Sequence, residues 1–398
     1  LDEDRIVVSD MKGLIGESDF IFSGEVKNYS AYLEKDSSAR VSVLFDIESD
    51  KLRMTDLLTI NEQFDILPLA FATEELQQLK CKGKVETTVY DLLKESNIPN
   101  VSLVLDELKW NLKHYPHSFR DFEIDLFYQD SLMVINRFEG SVGESNFKIA
   151  ASVAHLLDTA GTIRGNLEVH SDLLDTDALM NYALLEKISA DTVLSEPEDA
   201  AKQSSEGLAG FDFPDLELKL DLTEVRYAGN TLHSIRGAID FRPYKIIYFN
   251  GLTVQSETGG SMLLDGQFNV SDPELYMLSA KIDIDTVNVS DFNLQFALED
   301  SIYSLEDNFN GLLSTDVIAE LFINPDFSID LDQSTAMFNV LLSNGRIKNF
   351  APLKEIARYT GNKDLDNVQF GELRNGRNFS LVGGVIQIPL MSISSTLG

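Results

Sequence analysis

A single cysteine, Cys81, is all this 398-residue chain offers, so no intramolecular disulfide and no zinc cluster can form. That scarcity alone does not fix the redox compartment. Positive charge is also thin: 32 Lys and Arg stand against 65 Asp and Glu, a formal net charge of −33. Such a body does not attract nucleic acid or an anionic membrane surface. Because the acids are scattered rather than blocked, they read as the wet faces of a large β surface. No run of about twenty apolar residues occurs, so no segment of this sequence is a membrane-spanning helix. The start, LDEDRIVV, carries neither Met nor a signal peptide and reads as a processed or trimmed piece whose anchor or address would lie outside it.

Catalytic signatures are missing as well. There is no phosphate loop, dinucleotide fingerprint, His-Glu-x-x-His helix or Gly-x-Ser-x-Gly elbow. No catalytic residue and no cofactor is assigned, and the expectation is a protein that is not an enzyme. His114 and His117 in KHYPHSFRD, with Asp121 nearby, have metal-ligand chemistry, but Tyr115-Pro116 makes this a solvated turn. The Asp283/Asp285 and Asp330/Asp332 pairs share the wet side of a strand rather than the loop that calcium needs. Trp110, on a strand face with Leu108 and Leu112, reads as a core residue.

What the chain does have is 43% apolar residues, enough for a sizeable core, arranged with a period of two. DLELKLDL puts Leu216, Leu218, Leu220 and Leu222 on one face and Asp215, Glu217, Lys219 and Asp221 on the other, and AKIDID does the same with Ile282 and Ile284. Strict alternation marks antiparallel strands with one apolar and one wet face. Comparable strands are expected near 5–10, 19–27, 40–49, 101–112, 119–128, 131–138, 146–153, 161–170, 235–241, 245–254, 262–270, 336–343 and 379–388, with turns at Ala-Gly-Asn 228–230, Thr-Gly-Gly 258–260, Ser-Asn-Gly 343–345 and Asn-Gly 375–376.

The chain also repeats itself. MKGLIGESDF, from Met11, returns as FEGSVGESNF, from Phe138, so that Gly13, Gly16, Ser18 and Phe20 recur as Gly140, Gly143, Ser145 and Phe147. The glycines would bend the chain and the phenylalanines start a core-facing strand. IESDKLRMTDLL resembles VHSDLLDTDALM, and Pro99–Asp106 aligns with Pro214–Asp221. Repetition of this kind signals a structural unit. The expected organisation is the tail of a repeat over 1–60, a connection with short helices in TEELQQLK and YDLLKES over 61–96, a β unit over 97–180, a loose connection over 181–211, a second β unit over 212–295, and a distinct C-terminal β region over 296–398. That last region holds one short helix, Pro352–Tyr359, stopped by Gly361. The fold class is mainly β, a long curled antiparallel sheet of repeated, groove-like units.

The C-terminal stretch LLSNGRIKNFAPLKEIARYTGNKDLDNVQFGELRN, with FSLVGGVIQIPLMSISS after it, resembles the AsmA-like proteins of Gram-negative bacteria, as do the unit tails SDKLRMTDLL and SDLLDTDALM. The resemblance covers most of the chain and is strongest over 305–398. It implies a periplasmic β body tethered to the inner membrane by an N-terminal helix, which this sequence lacks. It also implies kinship with bridge-like lipid-transfer proteins, whose repeated sheets form an apolar-floored groove serving outer-membrane lipid homeostasis and assembly. On that footing the partners are phospholipid acyl chains and the membrane, with no protein partner named, and Leu216, Leu218, Leu220, Ile282 and Ile284 are the candidate lipid contacts. The alternative from another class is a structural or adhesin-like β-repeat protein that binds protein or glycan.

Overall fold

The structure is a computed structural model that describes residues 4–53, 55–56, 75–94, 98–111, 117–157, 161–180, 207–227, 229–256, 259–289, 295–298, 301–304, 308–350, 354, 357–359, 361, 367–375, 378–387, 389 and 391–395. The fold is mainly β, with a few short helices. The chain divides into two compact units, Leu1–Ser195 and Glu196–Gly398.

The first unit is an uninterrupted antiparallel meander. Its nine strands are β1 (Arg5–Ile15), β2 (Ser18–Lys27), β3 (Arg40–Arg53), β4 (Glu75–Thr88), β5 (Asn100–Asn111), β6 (Ser118–Gln129), β7 (Leu132–Val142), β8 (Ser145–Ala154) and β9 (Arg164–Asp175), and each pairs with the next. Three short helices sit in the connections: α1 (Tyr29–Glu34), α2 (Val89–Lys94) and α3 (Thr176–Met180). Among the described residues β1 and β9 do not pair, so this sheet is not closed into a barrel.

The duplicated phrase is a hairpin. Ile15 pairs with Ser18 and Val142 with Ser145, leaving the two-residue turns Gly16-Glu17 and Gly143-Glu144. Each turn opens on a glycine with positive φ, +62° and +60°. That geometry needs glycine in first place and matches the twist of the flanking strands. Gly13 and Gly140 sit opposite Phe20 and Phe147, and a Cβ at Gly13 would run into the Phe20 ring. A ring laid over a cross-strand glycine restores the packing that the glycine gives up. Both copies also bulge at the same place, between Val8 and Met11 and between Ile135 and Phe138.

The two repeated phrases turn out to be neighbours. The Ser18 hydroxyl accepts the Arg53 N–H (2.8 Å) and donates to Asp56 (2.7 Å), while the Asp19 carboxylate accepts the Lys51 N–H (2.7 Å). In the second copy Ser145 accepts the Asp175 N–H (2.9 Å) and the Asn146 side chain accepts the Asp172 N–H (2.8 Å). Ser18, Ser49, Ser145 and Ser171 are all buried. Each Ser-Asx pair therefore clamps the backbone of the next strand where Ser-Asp interrupts its apolar alternation, and buried N–H groups there find their acceptors.

The second unit begins with the same arrangement as β5–β9. Its five antiparallel strands are β10 (Asp215–Tyr227), β11 (Asn230–Arg242), β12 (Ile246–Gln255), β13 (Ser261–Asn269) and β14 (Tyr276–Asn288). A separate hairpin follows, β15 (Gln295–Leu298) with β16 (Ser301–Ser304). β17 (Phe309–Ile323) then pairs with β14 on one edge. On its other edge it is shared by β18 (Ile329–Phe338) and β19 (Leu341–Lys348), which behave as one long strand broken at Asn339-Val340. The break propagates. β20 (Asn367–Asn375) pairs with β19 and β21 (Phe379–Val382) with β18, and beyond them lie β22 (Val385–Gln387) and β23 (Met391–Ser395).

Four expectations need correction. TEELQQLK is rich in helix formers, yet its described part, Glu75–Lys80, is strand: β4 takes up Glu75–Thr88 because Leu79, Cys81 and Val85 alternate onto the apolar face between β3 and β5. Tertiary pairing overrides propensity there. The stretch 379–388 is a hairpin rather than one strand, since Gly383 and Gly384 both take positive φ. The strand expected over 336–343 is two strands, broken at 339–340, and β17 answers to no expected strand. Of the helix expected over Pro352–Tyr359, only Lys354 and Ala357–Tyr359 are described, all helical. Of the loose connection expected over 181–211, residues 181–206 lie outside the described residues, while Gly207–Gly210 form a 3-10 turn whose Leu208 packs against Val270 and Tyr276.

Candidate functional site

Cross-strand partners share a face, so the register lists identify which side chains form each surface. In the first unit one row runs Met11, Phe22, Ile47, Cys81, Leu105, Ile124, Phe138, Ile149, Val169, one residue from each of nine strands, and every one of them is apolar or a thiol. In the second unit a row runs Leu218, Ile239, Phe249, Gly266, Ala280, Ala319, Ala336, Leu381, Ile386. Its flanks are large residues: Leu216, Phe241, Ile247, Phe268 and Leu278 on one side, Leu264, Ile282, Val317 and Phe338 on the other. The five candidate contacts, Leu216, Leu218, Leu220, Ile282 and Ile284, therefore belong to one face. All five are only half-buried.

The opposite face is wet and ion-paired. Arg236 meets Asp221 (2.9 Å), Arg242 meets Asp215 (2.9 Å), and Lys281 meets Asp283 (3.4 Å). In the first unit Lys82 reaches Asp46 (3.5 Å), Lys148 reaches Glu139 (3.5 Å), and Arg137 bridges Glu123 and Glu139. Such exposed pairs contribute little energy each, but they mark this face as solvated.

Full burial on the apolar side is local: Leu105 of the first row and Ala280, Ala319 and Leu381 of the second are buried, while most of the other row members are half-buried. Leu105, Phe122 and Val142 pack with Leu179 of α3, and rings of Phe122, Phe138 and Phe147 meet at 5.4–6.0 Å. In the second unit Val270 and Tyr276 pack with Leu208, whose N–H donates to the Tyr276 hydroxyl (3.1 Å), and Val289, Leu342, Val368 and Phe370 form another cluster. Away from these buried residues, Leu and Ile side chains of the rows such as Leu218, Ile239 and Ile149 are half-buried. A protein interior buries these residues almost completely.

At one end of the first unit the apolar face runs out into exposed apolar residues. The β2–β3, β4–β5, β6–β7 and β8–β9 connections all lie at the same end of an antiparallel meander. They carry Tyr32, Leu33, Tyr90, Leu93 and Leu156, with Leu33 70% exposed, and Leu132 opens β7 at the same end. The Val89 N–H to Ala39 carbonyl bond (3.0 Å) ties the α1 and α2 connections together.

The remaining candidates dissolve on inspection. His117 Nε2 lies 3.0 Å from the Ala178 carbonyl, and His114 lies outside the described residues, as does the Trp110 side chain. The Asp330 carboxylate accepts the N–H groups of Asp332 and Gln333, which holds it below its usual range; the Gln333 side chain contributes most. A depression of about 290 Å³ lies on the wet face among Glu123, Glu139, Lys148, His170 and Asp172. No three His, Cys, Asp or Glu side chains among the described residues could hold a metal ion. Sequence reasoning missed Cys81 as a member of the apolar row. Burial pushes its thiol up, and the negative charges of Asp46 and Asp106 add to the effect. No family model, curated protein or solved structure matches this chain, and the case for its function stands on its own geometry.

Proposed function

We propose that the chain is a non-enzymatic lipid-handling protein whose apolar faces hold or conduct the acyl chains of phospholipids. The observation that carries this reading is the unbroken apolar row, most of whose large side chains are only half-buried, backed by an ion-paired face. An apolar sheet face must be covered by something. A lipid tail covers it at a gain of about 0.8 kcal/mol per buried methylene, so a dozen carbons supply roughly 10 kcal/mol before ordering costs. Such a ligand needs no head-group pocket, which suits a chain of net charge −33. The exposed rim at Tyr32, Leu33, Tyr90 and Leu93 gives a tail an apolar way onto the face. The resemblance to AsmA-like proteins supports a periplasmic setting, a tether to the inner membrane and a role in outer-membrane lipid homeostasis.

The test is native mass spectrometry of the chain purified from a Gram-negative host, followed by delipidation and titration with a fluorescent fatty acid. Bound phospholipid and saturable uptake are expected. A folded chain that carries no lipid from any source and takes none up overturns the reading, and the structural or adhesin-like alternative takes its place.

A further inference from the structure

The two ends of the first unit differ in chemistry. The β2–β3, β4–β5, β6–β7 and β8–β9 connections, with the strand residues that bound them (27–40, 88–100, 129–132 and 154–164), hold five Lys and Arg against six Asp and Glu. The connections at the opposite end (15–18, 53–75, 111–118 and 142–145) hold two against seven. The first end is therefore close to neutral in a chain where 65 acids face 32 bases. It is also where apolar side chains stand in water. Tyr32 and Leu33 on α1, and Tyr90, Leu92 and Leu93 on α2, are all exposed. Neither helix packs them away: α1 has no buried residue and α2 buries only Val89. The Val89 N–H bond to the Ala39 carbonyl (3.0 Å) braces the two connections, so these side chains are held outward on a fixed backbone. Leu156 and Leu157 continue the row on the β8–β9 connection. At the opposite end, among the described residues, the two hairpin turns are Gly-Glu and the one exposed large apolar side chain is Leu14.

Spacing separates the partners that such an end could take. Successive connections lie two strands apart, about 10 Å along the sheet, so the row from β2–β3 to β8–β9 runs about 29 Å. A protein partner needs one close-packed patch of about 800 Å² with a desolvated centre. Apolar points with Lys27, Arg40 and Lys94 among them do not form that centre, whereas a bilayer takes each point into its boundary layer separately. Tyrosine beside leucine is the composition of that boundary. We infer that this end of the first unit docks on the surface of a zwitterionic phospholipid bilayer, with the α1 and α2 side chains sunk to the acyl boundary. A neutral surface matches the neutral end, and an anionic one is repelled by a body of net charge −33. The inference rests on the lipid-handling reading for its purpose, since it names the side from which tails reach the apolar face, but attachment is measured apart from tail binding.

The full chain is floated with phosphatidylcholine vesicles and, in parallel, titrated with a fluorescent fatty acid. Vesicle association is expected, unchanged by salt at about 0.5 M and not strengthened by phosphatidylglycerol. The amides of α1 and α2 slow in hydrogen exchange when vesicles are added. Leu33→Glu with Leu93→Glu, both on exposed side chains, lowers association at least about tenfold, because attachment follows the apolar area buried. Leu14→Glu, exposed at the opposite end, leaves it unchanged, and circular dichroism confirms that both variants fold. A parent chain that stays off neutral vesicles, a double variant that floats like the parent, or binding that appears only with anionic lipid overturns the inference. So does a dimer of the free chain that the double variant dissociates, because the end is then an interface between copies. A chain that floats but takes up no fatty acid keeps the docking surface and loses the lipid-handling function; one that takes up fatty acid yet never floats does the reverse.

Discussion

Leu218→Glu places a carboxylate at the β10 end of the second unit's apolar row, opposite Ile239 on β11. Fully burying a leucine is worth about 1.5–3 kcal/mol, and Leu218 is half-buried, so removing it costs roughly 1 kcal/mol of stability. The new carboxylate reaches water in the empty protein and adds little to that. With a tail seated over it, the carboxylate is either desolvated or displaces the tail. An acid against hydrocarbon is unfavourable by about 2.5–3.5 kcal/mol on insertion scales. Partial escape to water brings this to about 2 kcal/mol, a loss of about 30-fold in affinity. Glu217→Leu, one residue away on the wet face, disturbs only an exposed 3.9 Å pair with Lys219 and leaves lipid loading intact. The assay is displacement of a fluorescent fatty acid, with circular dichroism to confirm that both variants keep their fold. A folded Leu218→Glu chain that binds as tightly as the parent refutes the assignment of this face.

Cys81 offers a probe already in place: with its thiol pushed up by burial, it should react slowly with a charged disulfide reagent at pH 8, and more slowly still once lipid is loaded. Ser145→Ala leaves the Asp175 N–H without its acceptor and should cost about 1–3 kcal/mol, read from urea unfolding. The Ser18 hydroxyl, aided by the Glu17 and Ser18 N–H groups, holds Asp56 below the usual carboxylate range. A depressed folded pKa contributes stability above the unfolded value of about 3.9 that is lost as pH falls through the folded one, so the hairpin amides of Glu17 and Ser18 should lose protection only below about pH 4. Hydrogen exchange between pH 6 and pH 3 checks this. Leu33→Ser with Leu93→Ser, both exposed, should change stability by less than about 0.5 kcal/mol and slow lipid uptake from vesicles.

The strands that could be read from sequence are those whose two faces differ in solvation along their whole length. DLELKLDL is legible because every second residue meets water. β17 is harder: VIAELFI is almost continuously apolar, and periodicity cannot separate such a run from a buried helix. β4 was hidden by composition, since Glu, Leu, Gln and Lys favour helix until a neighbouring strand supplies better hydrogen bonds. The repeated GES and SD phrases were visible as repeats, but not as partners. The hydroxyl of Ser18 and the backbone of Arg53 are 35 residues apart in sequence and meet only once the hairpin folds back. Leu216, Leu218, Leu220, Ile282 and Ile284 could be placed on apolar faces one strand at a time; that these faces are the same face depends on the register of β11, β12 and β13 between them, including the slip near Gly251.

The repeat and the proposed ligand are matched in scale. Strands stack about 4.8 Å apart, so the five strands β5–β9 present an apolar face about 24 Å across. One leaflet of a bilayer core is about 15 Å deep, and an acyl tail lying across the strands therefore spans about three of them. A single repeat is more than one tail wide, and each added strand lengthens the path without changing what lines it. Small side chains at the centre of the second unit's row, Gly266, Ala280, Ala319 and Ala336, keep that path low between taller neighbours. Lengthening a sheet of this kind requires only an unguarded edge that hydrogen-bonds the next strand in register, with its apolar residues on the same side.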